Sequence, residues 1–556
     1  MASNKGYPRC DVKVSEEERD FYEMKNRACE FYTRNKVPQQ IENVLNEMFF
    51  AKPDDIYGYL ANFFMKLSAP PRISGLNGRE VYDSQGQLAV QAEVMCTIRN
   101  EQKVGLQLFQ LLLNPGKNNN VFSSQMVLSA HHITTGLEWI KGPLSELLKG
   151  CDPCDQTGVD NILSDFFSAR HQEDKETRRS QEEKNKEAEE EALPPPPPPP
   201  VSSKGKKAGE TGTTKGASAE KLIPPCVPPE PEVPGSLAVG AVSLAVAKSG
   251  ALIRDVPLYK HILALRSQSE FRVPVPLVTL LSCGKSSPGK LNLLEEVILI
   301  PRPGQRVAQV ISMALQIHEE LMRIMNSSTS KAGPMSEAGA PVLVCERPEQ
   351  ALDLVVEACG NLGLTPGEEI RLALNCAADR LMDYSKGKYE VIAGSLKSPD
   401  ELVDMYQALL LKYPAVAALI QPLRKEDVDQ WERLSSVIGA SCSLLCDTSG
   451  LSASRAPPPA LPGVKGQVLQ QVNGTKVSDL IRIMMENPGM CLAVGLGVAY
   501  VRLGGLQGGH RLAKYNRLIA IEEELAQQGT LGRGPLPVSM EGTSLLEHER
   551  KTCHES

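Results

Sequence analysis

Seven consecutive prolines, Pro194 to Pro200, stand near the middle of this chain, with a dense charge run, Glu173 to Glu191, directly before them. Proline fixes its own φ and donates no backbone hydrogen bond, so the run favours a stiff polyproline II rod and no packed element. Gly205 to Ala219 is flexible by composition, and Pro224 to Pro234 is again proline-rich. Such a stretch buries too little apolar surface to offset chain entropy, so residues 169–234 are expected to be a disordered insertion. Glu182 and Lys186 are spaced for a local helical pair within it. Proline content alone is a weak signal for an SH3 or WW ligand. Folded structure must then be built from what lies on either side.

The 556 residues leave room for about three or four domains, and a hydrophobic fraction of 41% agrees with some of the chain being unpacked. A net charge of −7 argues against nucleic acid or an anionic membrane surface as partner. Fourteen cysteines are scattered without disulfide-like spacing, and Met1-Ala2-Ser3-Asn4-Lys5 leads into no apolar core, so reduced thiols in the cytoplasm are expected. Cys151-Asp152-Pro153-Cys154 has no second Cys or His pair after it and reads as a turn. The longest apolar run, Cys491 to Val501, is too short to span a bilayer, so no membrane span is expected.

Residues 1–71 form an expected helical extension. Ile41, Val44, Leu45 and Met48 recur at i, i+3, i+4 and i+7. Ile56, Tyr59, Leu60, Phe63, Phe64 and Leu67 continue the apolar pattern, with Pro53 placed for the first turn of that second helix. Two short helices cannot cover so wide an apolar face by themselves, so it should be buried on another copy or on the body of the protein. Val37-Pro38, Lys52-Pro53-Asp54-Asp55 and Tyr59-Leu60 resemble the dimerisation and docking helices of regulatory-subunit and Dpy-30-type modules. That resemblance implies a dimer receiving an anchoring-protein helix at residues 37–68. An ordinary packed extension is the equal alternative.

Beyond residue 269, apolar runs alternate with helix patterns, the sign of repeated strand–helix units and an α/β fold. Three blocks narrow this further. Val81-Tyr82-Asp83-Ser84-Gln85-Gly86 opens a strand-like run to Ile98, Gly235 to Ile262 reads GSLAVGAVSLAVAKSGALIRDVPLYKHI, and Arg511 to Leu525 reads RLAKYNRLIAIEEEL. Together they resemble the enolase family, over roughly residues 72 to 526. The resemblance implies an α+β domain at 72–268, interrupted by the insertion, a C-terminal β/α barrel at 269–526 and a flexible tail at 527–556. Enolase barrels have eight strands and depart from regular α/β order in their first units. The resemblance also implies Mg²⁺-dependent dehydration of 2-phosphoglycerate to phosphoenolpyruvate, a glycolytic lyase step, and pairing as a homodimer or as a heterodimer with another enolase. A glycolytic fold joined to docking helices fits a cytoskeletal or flagellar location.

Loss of water beside a carboxylate needs a base and a cation that stabilises the dianion, and enolase-superfamily sites use Lys or His with Mg²⁺ for this. Carried over residue by residue, the match is partial. Asn375 stands where the first metal carboxylate belongs, Ile420 where the second belongs, and Asp447 retains the third. Gln471 replaces the base, and Gln has no suitable titratable group. Arg502 replaces a second lysine, while Glu296 matches a catalytic glutamate. The acid-side glutamate falls near Ser336 and Glu337, and a family histidine falls near Ser287. No counterpart of the flexible serine loop follows Arg99–Lys103, where GLQLFQLLLN reads as helix-like. The family's phosphate-binding Ser-His-Arg-Ser-Gly strand has no counterpart between Pro488 and Leu492, so the resemblance implies either an incomplete barrel or a variant chain lacking that segment. Gly504, Gly505, Gly508 and Gly509 read as turns, not as a phosphate cradle. Two functions follow: an enolase with a degenerate site, or an enolase-fold assembly subunit with little or no activity.

Overall fold

The period-2 and period-3.6 segments fold into separate layers in the computed structural model, which describes residues 16–82, 86–104, 108–110, 122–191, 232–266, 271–285, 287–327, 334–447, 461–468, 474–486 and 499–531. In chain order the elements are α1 (Glu16–Arg34), α2 (Val37–Ala51), α3 (Ile56–Leu67), β1 (Arg72–Tyr82), β2 (Leu88–Ile98), β3 (Glu101–Val104), β4 (Leu108–Gln110), α4 (Phe122–Trp139), a π-turn (Ile140–Leu144), α5 (Ser145–Leu148), α6 (Gln156–Glu191), α7 (Leu237–Ile253) and α8 (Leu258–Leu265). There follow β5 (Val275–Ser282), β6 (Glu296–Pro301), α9 (Val307–Ser327), α10 (Pro348–Asn361), β7 (Ile370–Asn375), β8 (Met382–Asp383), β9 (Lys388–Ile392), β10 (Ser395–Lys397), α11 (Pro399–Lys412), β11 (Val416–Ile420), α12 (Val428–Ile438), β12 (Ser443–Asp447), β13 (Val464–Val468), α13 (Val477–Glu486), β14 (Tyr500–Gly504) and α14 (Gly509–Gln527). The chain divides into two compact units, residues 1–71 with 98–101, and residues 72–97 with 102–556.

In the first unit α3 begins later than Pro53 suggests. The Asp55 carboxylate accepts the Gly58 N–H at 2.8 Å, so Asp55 is the N-cap and Pro53 belongs to the link before it. Val44 is buried, whereas Ile41, Leu45, Phe49 and Phe64 are exposed.

The second unit opens with an antiparallel sheet in the order β1-β2-β3, with β4 also pairing β2. Arg99 and Asn100 both have positive φ, 53° and 66°, the backbone a tight two-residue hairpin needs. The expected helix at GLQLFQLLLN is corrected here: Leu108–Gln110 pairs antiparallel with Val90–Ala92. A short apolar run is ambiguous by periodicity, and pairing along β2 decides it. Residues 105–107 and 111–121 of that region lie outside the described residues.

The expected disorder from residue 169 is also corrected in its first part, because α6 runs unbroken to Glu191. Val159, Leu163 and Phe166 anchor its N-terminal half in the core. Along the charged half, Arg170–Glu173 at 2.6 Å and Arg178–Asp174 at 2.8 Å are helical neighbours. The side chains of Glu182 and Lys186, and the whole of residues 192–231, lie outside what is described.

Helix α7 is buried on nearly every side, which its Ala, Val and Gly content allows. It meets α8 at a bend of 104°, and among the described residues no single helix is long and apolar enough to cross a membrane.

The barrel sheet runs β13-β12-β11-β7-β6-β5-β14. Strand β6 is antiparallel to both β5 and β7, and the other pairs are parallel, so the first units depart from regular α/β order as the enolase resemblance implies. The last strand, β14, returns beside the first, β5. Among the described residues there are seven strands, and β13 and β14 end the path without pairing each other. The segment between them includes Pro488–Leu492, which lies outside the described residues. Outward side chains such as Val297, Leu299, Leu372 and Leu374 pack with α9, α10 and α11, while Ile298, Ile300, Ala373, Ala418 and Ile420 form an inner layer. Beyond β11, Arg424 is buried against Asp427, with contacts of 2.6 and 3.1 Å, and Tyr389 donates its hydroxyl to the same carboxylate. This network fixes the loop that leaves the strand end.

Candidate active site

Alternation along the strands decides which side chains reach the barrel mouth. Successive side chains point to opposite faces, so the inward row Ile300, Ile298 continues to Glu296, and Ala373 continues to Asn375. By the same rule Ala418 leads to Ile420, and Leu445 to Asp447. Glu296 begins an antiparallel strand, and the register pairs it with Asn375 on β7 and Ser282 on β5. All four residues therefore line the C-terminal edge of the parallel strands, where barrel sites sit.

Three of the sequence-derived positions converge. The Glu296 Oε2 atom accepts from Asn375 Nδ2 at 3.2 Å and forms a close ion pair with Arg502 Nη2. Glu296 is 8% exposed, so its carboxylate is satisfied by protein donors and hardly by water. Ile420 is buried in the inner apolar layer. The Asp447 backbone N–H donates to Gln421 Oε1 at 2.9 Å, and Gln421 Nε2 donates to the Leu423 carbonyl at 3.1 Å. Gln421 thus ties the ends of β11 and β12 together.

Neighbouring charges were not singled out from sequence. Glu295, of opposite parity to Glu296, accepts from Arg380 Nη1 at 3.2 Å. Burial pushes its carboxyl up, with Arg380 opposing. Asp379 is also raised by burial, and the Asp447 carboxylate adds to the effect. The available signal was an Asp-Arg pair, Asp379-Arg380, just past the end of a strand.

Of the looser assignments, Ser336 shares a hydroxyl hydrogen bond of 2.8 Å with Ser282 at the end of β5, while Glu337 is exposed. Ser287 donates through N–H and hydroxyl to the Gly284 carbonyl, closing a turn. The Gly504–Gly509 segment is corrected: it links the end of β14 directly to the start of α14, a strand–glycine–helix connection where separate turns were expected, and the Gly505 N–H donates to the Ala338 carbonyl at 2.7 Å. Gly339, at φ 74°, has the Gln507 carbonyl oxygen 2.5 Å from where a Cβ would stand, so only glycine permits this approach. Gln471 lies outside the described residues.

Residues 270–453 match the family described as enolase, C-terminal TIM barrel domain. Over 98% of its length the chain is 49% identical to the Danio rerio protein named Enolase 4, covering 98% of that relative. The chain belongs to the enolase family. It is also similar to the proteins named Enolase 4 from Xenopus laevis, 41% identical with 92% and 94% of the two chains covered, and from Homo sapiens, 38% identical with 92% and 90% covered. The enolase family generally uses Mg²⁺, forms dimers and binds 2-phosphoglycerate.

Whether these residues suit the enolase-family metal is a question of donors. Magnesium demands near-octahedral oxygen coordination, usually anchored by carboxylates. Strands β7, β11 and β12 end in an amide, a hydrocarbon and one carboxylate, Asn375, Ile420 and Asp447. The nearby Glu296 carboxylate is engaged by Arg502 and Asn375. Among the described residues no three His, Cys, Asp or Glu side chains are grouped to hold a metal ion. This donor set does not fit the group.

Proposed function

We propose that this enolase-family chain is an assembly subunit whose barrel mouth carries out little or no dehydration of 2-phosphoglycerate. The observation that carries the reading is the Glu296–Arg502 ion pair with Asn375 as third member, since it neutralises the one matching catalytic carboxylate with neighbouring side chains. Ile420 supports it, because a hydrocarbon in the inner apolar layer cannot ligate a cation. Gln471 at the base position supports it too, since Gln cannot take a proton near neutral pH. The α1–α3 unit serves as the docking element of this subunit, for pairing or for an anchoring helix, and the family's dimer would join it to another enolase.

The alternative is the family reaction itself, a Mg²⁺-dependent lyase step, favoured by 49% identity to a relative named Enolase 4. Ligand-induced stabilisation separates the two. A ligand at 100 times its Kd raises stability by about 2.7 kcal/mol. The assembly-subunit reading expects no change in thermal midpoint when millimolar Mg²⁺ and 2-phosphoglycerate are added together. A saturable increase, lost on chelation, would support the enzyme instead.

A further inference from the structure

We infer that Cys283 and Cys345 form a redox site, which a hydroperoxide oxidises to a disulfide that clamps the 334–347 segment to the end of β5. The two thiols lie in distant parts of the chain, so their spacing carries no disulfide signal. Both are free cysteines, 1% and 3% exposed, and they share one apolar cluster. The Cys283 S–H donates to the Cys345 sulfur, so no third group stands between them. Backbone hydrogen bonds hold the two segments beside the pair. Ser282 N–H donates to the Pro341 carbonyl at 2.9 Å, and Leu343 N–H to the Ser282 carbonyl at 2.9 Å. The Cys345 carbonyl accepts from the N–H groups of Lys290 and Leu291, each at 3.1 Å. Both carriers are thus fixed close together before any bond forms, which is the condition a disulfide sets.

The thiol hydrogen bond divides the roles. It raises Cys283 well above the ordinary thiol value, with burial adding, and it lowers Cys345 against the effect of burial. The thiolate is the nucleophile, so Cys345 attacks the oxidant and Cys283 resolves the product. Other buried thiols go the opposite way: burial pushes Cys359 up to about 11, and Cys376 and Cys442 up to about 12. Cys345 also lies shallow, between exposed Val344 and exposed Glu346, within reach of a small oxidant. In the first step the Cys345 sulfur attacks one peroxide oxygen. An S–O bond forms as the O–O bond breaks, and the departing oxygen takes up the proton that Cys345 lost and leaves as water or an alcohol. The Cys283 sulfur then attacks the sulfenic sulfur of Cys345. The S–S bond forms as the S–O bond breaks, and the hydroxyl leaves with the Cys283 proton as water. Two electrons pass in all from the thiol pair to one peroxide. The disulfide tightens a segment that already reaches the barrel mouth through the Ser336–Ser282 hydroxyl bond of 2.8 Å.

The test uses the reduced full chain and hydrogen peroxide. Remaining thiols are blocked, and a non-reducing tryptic digest is searched by mass spectrometry for the Cys283 peptide joined to the Cys345 peptide. The Arg347–Pro348 bond resists trypsin, so the second peptide also holds Cys359, and fragmentation assigns the bond. The expected result is a Cys283–Cys345 disulfide that forms before Cys359, Cys376 or Cys442 reacts and is reversed by dithiothreitol. Its absence, or its formation only once the protein unfolds, overturns the inference. Thermal unfolding gives a second readout, because a disulfide constrains the unfolded chain. Peroxide should raise the midpoint of wild type and leave that of Cys345→Ala where it was, and equal shifts in the two would overturn the clamp. The roles are read with dimedone, which should trap a sulfenic acid on Cys345 in Cys283→Ser. Equal trapping on Cys283 in Cys345→Ser would overturn the assignment of attacker and resolver. None of these outcomes depends on turnover at the barrel mouth, so the proposed function stands or falls separately.

Discussion

Replacing Arg502 by Met leaves the Glu296 carboxylate at the barrel rim with the Asn375 amide and without its cation. The Glu296 side chain is 10% exposed and that of Arg502 31%, so the pair lies between the buried and surface cases. Breaking a buried pair by removing one partner costs about 3–5 kcal/mol, and a surface pair is worth about 0–1 kcal/mol. An intermediate loss of about 2 kcal/mol is expected for Arg502→Met. Glu296→Gln should cost less, about 1 kcal/mol, because Arg502 can turn toward water. In the double variant no charge is stranded, so the losses should not add. The double-mutant cycle should return a coupling of about 1–2 kcal/mol. For a domain of this size that corresponds to a midpoint difference of roughly 2–6 °C in thermal unfolding. Additive losses, with coupling below about 0.5 kcal/mol, would refute the argument that these two residues act as one locked unit.

Two further outcomes follow from the same geometry. Ile420→Glu alone places a carboxylate in the inner apolar layer and should lower the thermal midpoint, whereas Asn375→Asp/Ile420→Glu joins it to Asp447 and should make the midpoint rise with millimolar Mg²⁺, which wild type should not show; an equal Mg²⁺ response in both would contradict the donor argument. Burial, aided by Arg254, depresses the pKa of His261, whose ring nitrogens have no partner, so its stabilising contribution is full above the ordinary imidazole value of about 6.5 and is lost as pH falls toward the folded value. His261→Leu should therefore flatten the fall in thermal midpoint between about pH 7.5 and 5, and an unchanged slope would count against it.

The barrel was legible because several of its inner strands, such as Val275–Ser282 and Val416–Ile420, are largely apolar runs. Glu296–Pro301 is buried at every position, and such runs read as inner strands whatever their neighbours. Helix α11 opens on a capping box formed by Ser398 and Glu401, a start signal that stands in the sequence but was not drawn on. The site was legible only in part, because its key contacts join residues 79 and 206 positions apart. The family resemblance could place Glu296, Asn375 and Arg502 on barrel strands, but not show that they bond to one another. Glu295, Asp379 and Arg380 escaped for a related reason: their surroundings come from loops of separate strands. The helical continuation of α6 was misread from composition. A charged segment lacks apolar faces of its own, yet a helix already anchored by Leu163 and Phe166 can propagate through it without a new nucleus.

The central claim, that the barrel mouth is locked by its own side chains, is tested most directly by turnover. Purified full-length protein is given 2-phosphoglycerate with Mg²⁺, and in parallel with chelator, and phosphoenolpyruvate is followed by absorbance. Loss of a general base typically costs about 10²–10⁴-fold in rate, and a poor metal site adds to that loss. The locked-mouth account predicts a rate at or near the chelated control. Chelator-sensitive turnover comparable to an ordinary enolase would contradict it.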